Sequence, residues 1–431
     1  MKKLKILIPK IKPPTEPDIV TSQMTNILSE LKTHFDLKIT WLIFQPISFS
    51  NYKYDDSEII DFHNFSNAVD VLNTIEPDLV LMESILGIHG IAFSFACKSN
   101  KTPLITITTT GISKSTKTIF AIKSSFRLIF SNHVLGDTDH TRNKKFGMLR
   151  YSLTRYIFLI RTLRNLNYGF LFLFKFILFY PAFQIFSKNY VTFHPINSGD
   201  LNICLNNNYY FRMLKAGFDK QSLFLAGDPN YDSFYNLSHS VPNSIENKSK
   251  NFEILFCPSP MHEHGMMSKS NEHKLILDII NQMEQLSDVT LSIKLHPSST
   301  SKEEYLKLFN EHNFSGKIYH KENIVDLIIN TDAVLNYGSS SVILDSILLK
   351  KPVIMILFNN PEFDRLYDEK IILGCKKISE LSYMIPKAKE FQFDSNNLEN
   401  YIKNQIGFFD GNNSKRITKK IFEFLKLKNI I

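Results

Sequence analysis

A chain of 431 residues with 43% hydrophobic content has enough apolar mass for two packed cores, which excludes a wholly disordered polymer and predicts two domains. Basic residues exceed acidic ones by 8, but the excess is local: residues 114–188 carry +11 and the remainder −3. The four cysteines, Cys97, Cys204, Cys257 and Cys375, are widely spaced without a C-x-x-C pair, which argues against a disulfide framework or structural zinc and fits a reducing cytoplasm. The apolar run Ile6-Leu7-Ile8 before Pro9 is too short for a signal peptide, so the expectation is a protein that is not exported.

In chain order, Leu4–Ile8 reads as a strand, Ser22–Lys32 has helical spacing and Leu37–Phe44 is strand-like again. The pattern repeats at Leu79–Met82, after Glu76-Pro77-Asp78, and at the β-branched run Leu104–Thr108, which stops short of Gly111. Strands separated by helices predict a parallel sheet with right-handed crossovers.

From Lys114 to Lys188 the alternation breaks. Tyr168–Phe186 is close to the length of a bilayer span and holds one charge, Lys175; Pro181 interrupts it, and Arg142, Lys144, Lys145, Arg150, Arg155, Arg161 and Arg164 precede it. The expectation is an interfacial element over 142–186, apolar side chains in the acyl boundary and cations on anionic headgroups. The alternatives are a helical pair packed into the first domain and a true span.

Alternation resumes with Leu201–Leu205, a helix over Asn208–Ala216, and Leu223–Ala226. The polar stretch Ser238–Asn251 reads as a linker. Beyond it come strands at Phe252–Cys257, Val289–Leu295, Ala333–Asn336 and Pro352–Leu357, interleaved with helices at His273–Leu286, Lys302–Phe309, Asn323–Ile329 and Val342–Leu349, and a basic amphipathic helix at Lys415–Leu427. The fold class is therefore α/β, two Rossmann-like domains facing an interdomain cleft. An amino-terminal acceptor domain spans 1–237 with the basic aromatic insert at 114–188, the linker is 238–251, and a nucleotide-donor-binding domain spans 252–431.

The densest motif is Ala333-Val-Leu-Asn-Tyr-Gly338-Ser339-Ser340-Ser341-Val-Ile-Leu-Asp345. An apolar strand ends in a small-residue turn that opens a helix, where amides and the positive end of the dipole favour a phosphate; Gly338 permits close backbone approach. Asp345 falls one turn later on the Ser341 face, in reach of ribose hydroxyls. A plain serine cap with a surface acid is the alternative.

This segment resembles the carboxyl-terminal halves of GT-B proteins related to UDP-N-acetylglucosamine 2-epimerase and to CDP-glycerol glycerophosphotransferases. Three further motifs agree in order: Gly227-Asp-Pro229-Asn-Tyr-Asp232, Lys294-Leu-His296-Pro297 and Asp410-Gly411-Asn-Asn-Ser414-Lys-Arg416-Ile417. The resemblance covers roughly residues 200–420 and implies that Asp345 holds the nucleotide ribose and that His296 meets nucleotide phosphate. Lys294 nearby would help neutralise charge on a leaving nucleotide.

Pro258-Ser-Pro-Met-His262-Glu263-His264-Gly265 follows the first strand of the second domain, where such folds place donor-contacting loops. His262 and His264 are candidate donor contacts and Glu263 a candidate general base; H-x-H without a third ligand does not make a zinc site, and no metal or cofactor is expected. Asp137-Thr-Asp139 lies inside the insert and reads as a turn. On the acceptor side, Glu83 and His89 follow the Leu79–Met82 strand and have the chemistry of a base for an acceptor hydroxyl.

The epimerase family's Arg-Pro-Glu segment, its acid near Thr106–Gly111 and its His-Arg-Arg-Glu-Asn run have no counterpart here, which removes most support for epimerisation. The expected function is nucleotide-activated transfer, first a glycosyl transfer in cell-surface glycan or glycolipid synthesis, with glycerophosphate transfer from a CDP-linked donor close behind. The partners would be a nucleotide-activated donor, a lipid-linked or glycan acceptor and an anionic membrane surface. Nucleic acid is the weaker alternative, because aromatics and cations are segregated rather than mixed in 142–186.

Overall fold

The computed structural model describes residues 2–11, 13–14, 19–44, 52–54, 56–84, 87–108, 144–174, 195–240, 251–262, 266–296, 302–338, 340–358 and 360–431. They form two compact units, Met1–Asp232 with Lys403–Ile431, and Ser233–Ile402.

The first unit is built on strands β1 (Lys2–Lys10), β2 (Phe35–Ile43), β3 (Tyr52–Tyr54), β4 (Ser57–Asp61), β5 (Leu79–Glu83), β6 (Leu104–Ile107), β7 (Leu201–Cys204) and β8 (Leu223–Leu225). Their order is β3-β4-β2-β1-β5-β6-β7-β8, parallel throughout except for the β3–β4 pair. Both faces are covered, which is why the strands read as continuous apolar runs rather than alternating ones. Leu4, Ile6 and Ile8 pack into a layer with Leu28 and Leu31, while Leu7, Val80 and Met82 meet Phe93, Phe158 and Leu163 on the other side. The helix Ala68–Ile75 shows how local chemistry sets the boundaries. Asn67 accepts the Val69 and Asp70 amides at its start, and Glu76 turns into the left-handed region at φ 47° directly before Pro77.

Two boundaries differ from the sequence expectation. The helix Asn413–Leu427, assigned by sequence to the second domain, belongs to the first unit, where Ile417, Ile421 and Leu425 join the layer of Leu28, Leu31 and Trp41. An amphipathic period reveals an apolar stripe but not which core receives it. The first residues of the expected linker, Ser238–Ser240, end the helix Asp232–Ser240, and 241–250 lies outside the described residues.

The Gly227–Asp232 and Asp410–Ile417 motifs interlock within the first unit. Asp232 accepts the Asn413 and Ser414 amides, each at 2.8 Å, capping the last helix. Asn413 Nδ2 donates to the Asp228 carbonyl at 3.0 Å, and Arg416 donates to the Ala226 carbonyl at 2.7 Å and pairs with Asp410. Gly227, at φ +90°, leaves no room for a side chain: a Cβ there would lie 2.1 Å from Asn413 Oδ1. The fully buried Asp228 takes Gln23 Nε2 at 3.2 Å and the Asn230 amide at 3.0 Å, tying the turn to the helix Ile19–Lys32.

Of the insert at 114–188, residues 114–143 and 175–188 lie outside the described residues. The helix Lys144–Asn165 buries Phe158, Leu159 and Leu163 in the first unit, while Leu153, Ile157, Arg161 and Arg164, spaced along one other face, are exposed. Phe170, Leu171 and Phe174 follow, 78%, 74% and 51% exposed. One side of this element thus packs into the first unit, and another carries exposed apolar side chains. Among the described residues no helix is long and apolar enough to cross a membrane.

The second unit carries β9 (Phe252–Pro258), β10 (Val289–Lys294), β11 (Ile318–Tyr319), β12 (Ala333–Tyr337), β13 (Val353–Ile356) and β14 (Leu373–Cys375), ordered β11-β10-β9-β12-β13-β14 and all parallel. The chain steps outward from β9 to β10 and β11, then returns to β12 on the other flank. The first sheet reverses in the same way between β1 and β5. Such reversals leave crevices at the carboxyl ends of the flanking strands, where ligands of doubly wound folds bind.

Candidate functional site

In the second unit the crevice lies beyond β9 and β12. Asn336 stands level with Cys257 in the ladder, and Lys294, one residue past the registered Ile293–Phe256 pair, comes level with it too. All three are buried. Burial pushes the Cys257 thiol up to about 12, the nearby Lys294 ammonium opposing the shift, so this cysteine is an inert neutral thiol.

Lys294 is a tie rather than a free cation. Its ammonium donates to the carbonyls of Leu295 and His320, both at 2.9 Å, joining the ends of β10 and β11, and burial lowers its pKa. His296, two residues on, is half-buried at the same edge.

Gly338 follows β12 at φ +83°, in a region that disfavours side chains, and a Cβ there would approach Ser259 Cβ and Oγ at 3.1 Å. The ends of β9 and β12 are therefore in contact at this point. Ser259 donates to Asn336 Oδ1 at 3.4 Å, while Asn336 Nδ2, fully buried, has no acceptor among the described residues. A buried amide donor without a partner costs about 1–3 kcal/mol, a cost that an ordered water or a ligand oxygen would relieve.

Ser340 caps the helix Ser341–Leu348, accepting the Val342 amide at 3.3 Å, and Ser341 is its exposed first residue. One amide of the expected anion cradle is thus satisfied by the chain itself. Asp345 lies one turn in and is buried. Ser339, Glu263 and His264 lie outside the described residues. His262 is exposed, and its backbone, with that of Met261, is held by Glu272, a buried acid that the sequence reading passed over.

In the first unit, Glu83 ends β5, half-buried, beside Ser84, whose buried hydroxyl has no partner among the described residues. Lys10, also passed over, ends β1 at 3% exposure, three residues beyond the last registered β1–β5 pair, Leu7–Val80. His89 is not a loop residue. It lies in the buried helix Ile88–Asn100, its ring 5.0 Å from that of Phe44, and burial, with a smaller contribution from Arg155, holds its pKa down at about 3. It is a packed neutral imidazole and a weak base. Among the described residues no group of three His, Cys, Asp or Glu side chains could hold a metal ion.

Two doubly wound parallel sheets, each reversing at a crevice edged with polar side chains, define a Rossmann-like protein of the GT-B type. The family model of CDP-Glycerol:Poly(glycerophosphate) glycerophosphotransferase matches residues 194–423, more than half of the chain, and the chain belongs to that family. No curated protein matches it in sequence. Among solved structures it is similar to UDP-GlcNAc 2-epimerase from Neisseria meningitidis bound to UDP-GlcNAc, with TM-score 0.52, 13% identity, and coverage of 97% of this chain and 100% of that one. It is also similar to the S. aureus MnaA–UDP co-structure, at 0.51, 13%, 100% and 98%, and to UDP-GlcNAc 2-epimerase from Methanocaldococcus jannaschii, at 0.50, 13%, 97% and 100%. At this identity the likeness is one of fold.

Proposed function

We propose that this protein transfers a glycerophosphate-type group from a CDP-linked donor to an acceptor hydroxyl. The hydroxyl oxygen attacks the distal phosphorus of the diphosphate, the bond from that phosphorus to the bridging oxygen breaks, CMP leaves with the electron pair, and the hydroxyl proton passes to a base. The observation that carries the reading is the unpartnered Asn336 amide beside Gly338 at the β9–β12 reversal, in a chain of this family. In this reading the turn at Gly338–Ser341 takes the phosphates and Asp345 the ribose. His296 stabilises the departing nucleotide, with His262 and His264 as further donor contacts. For the base, Glu83 is preferred over His89, whose low pKa leaves it little affinity for a proton, and Glu263 is the other carboxylate assigned.

The second reading is glycosyl transfer from a nucleotide sugar in surface glycan synthesis, favoured by the shared fold with proteins crystallised with UDP or UDP-GlcNAc. Either reaction would proceed with the protein peripheral at the cytoplasmic face of an anionic membrane. Leu153, Ile157, Phe170, Leu171 and Phe174 would enter the acyl boundary while Arg161 and Arg164 meet headgroups, each cation contributing about 1 kcal/mol.

A thermal-shift screen against CDP, CMP, UDP, GDP and their glycerol or sugar conjugates, on the wild type and Asp345→Ala, tests the reading. A nucleotide at about 100 times its Kd stabilises the folded state by about 2.7 kcal/mol. Stabilisation by CDP-glycerol, lost in Asp345→Ala, supports the first reading, and stabilisation by a UDP-sugar supports the second. If no nucleotide stabilises the wild type, both fail.

A further inference from the structure

Glu272 lies in the first turn of the helix Lys269–Glu284, after the Ser268 cap, in a stretch whose sequence looks like exposed helix surface. Its side chain is instead 1% exposed. Oε1 accepts the Met261 amide at 2.8 Å and the Tyr337 hydroxyl at 3.4 Å, and Oε2 accepts the His262 amide at 3.1 Å. These donors come from different places. Met261 and His262 belong to the loop after β9, whereas Tyr337 is the last residue of β12, directly before Gly338. The carboxylate thus ties the loop after β9 to the end of β12. The same two segments also meet where Ser259 lies against Gly338.

Two adjacent amides pointing at one place would otherwise form a small anion nest. Here an internal carboxylate fills it, so the Met261 and His262 amides are not offered to a ligand, and phosphate is left to other groups such as the helix opened by Ser340. A buried carboxylate is tolerated where several donors converge on it and a helix start adds its dipole.

We infer that Glu272 is the positioning residue of the donor site, fixing the loop Ser259–His262 against the end of β12 and thereby the width of the nucleotide crevice. The inference rests on the donor-site reading above. Its test uses the full chain as Glu272→Gln and Tyr337→Phe, two readouts being compared with wild type. These are the 13C-methyl NMR resonance of Met261, identified through Met261→Leu, and calorimetric affinity for CDP and UDP. Glutamine turns one acceptor oxygen into a donor facing an amide and opens the bridge, whereas phenylalanine removes only the longest bond.

The expected result is a shifted or broadened Met261 methyl and at least a tenfold loss of nucleotide affinity in Glu272→Gln, and a smaller change of the same sign in Tyr337→Phe. An unmoved Met261 methyl, or wild-type affinity in both variants, overturns the inference. If Glu272→Gln does not fold, Tyr337→Phe decides by the same two criteria. If the wild type binds neither nucleotide, the donor-site reading fails on its own, and the inference fails with it only as regards the nucleotide; the methyl comparison still decides whether Glu272 fixes the loop.

Discussion

Replacing Asp232 with alanine removes the acceptor for two backbone amides, those of Asn413 and Ser414, each 2.8 Å from its carboxylate. Loss of such a cap costs about 1–2 kcal/mol, and loss of the negative charge at a helix start adds about 0.3–1 kcal/mol, so about 2 kcal/mol is expected. The helix so capped delivers Ile417, Ile421 and Leu425 to the layer that contains Trp41, the single tryptophan of the chain. Trp41 is 1% exposed and donates to Ser57 Oγ at 3.0 Å, so its fluorescence reports the first unit during urea unfolding. With a slope of roughly 3 kcal/mol per molar urea, the midpoint should fall by about 0.7 M. Asp232→Asn keeps one of the two capping oxygens, turns the other into a donor facing an amide and loses the charge, so it should recover less than half of the difference. An Asp232→Ala midpoint that coincides with wild type, or an asparagine variant as stable as wild type, would show that the interlocked motifs do not hold this helix.

His89 supplies a pH dependence of defined sign. Its folded pKa, about 3, lies below the ordinary 6.5, so between these values the unfolded chain holds a proton that the folded chain lacks. The contribution is therefore complete above pH 6.5 and is lost as pH falls towards 3, by at most about 5 kcal/mol at 1.36 kcal/mol per unit. His89→Phe should flatten that part of the acid unfolding curve monitored at Trp41, and an unchanged slope would contradict the burial. Gly338→Ala forces a side chain onto φ +83° and against Ser259, at a cost of about 1–3 kcal/mol. Calorimetry should show weakened nucleotide binding while the circular dichroism spectrum is retained. Replacing Phe170, Leu171 and Phe174 together with serine should abolish co-sedimentation with anionic vesicles and leave the urea midpoint within about 0.2 M of wild type; vesicle binding that persists would remove this surface as the docking element.

The alternation of strands and helices is legible in the sequence because parallel strands buried on both faces are unbroken apolar runs, such as Leu79–Met82 and Val353–Ile356. The turn at Gly338 is legible for a similar reason, since small residues between an apolar strand and a helix leave little else to form. What escapes is whatever depends on contacts made at a distance. Glu272 lies among Ser, Asn and His and reads as solvated, and only the loop folding back from β9 buries it. Lys294 has the chemistry of a phosphate contact, yet its two acceptors are backbone carbonyls, one of them 26 residues on, just past β11, which no side-chain pattern announces. His89 follows a strand and reads as a cleft residue, but its helix is apolar on nearly every side and lacks the polar stripe that marks a surface. Asn336 did leave a signal, a lone amide at an inward position of a buried strand, and Lys10 at the end of β1 left the same kind.

The division of the chain bears on how it is made. The first unit is interrupted after Asp232 and completed only by Lys403–Ile431, with all of Ser233–Ile402 synthesised between. At about 5–20 residues per second, the apolar layer of Leu28, Leu31 and Trp41 waits on the order of ten seconds or more for Ile417, Ile421 and Leu425. During that interval the second unit, contiguous in sequence, can finish folding. The nascent amino-terminal half meanwhile presents an open greasy face to the cell, a natural target for trigger-type chaperones.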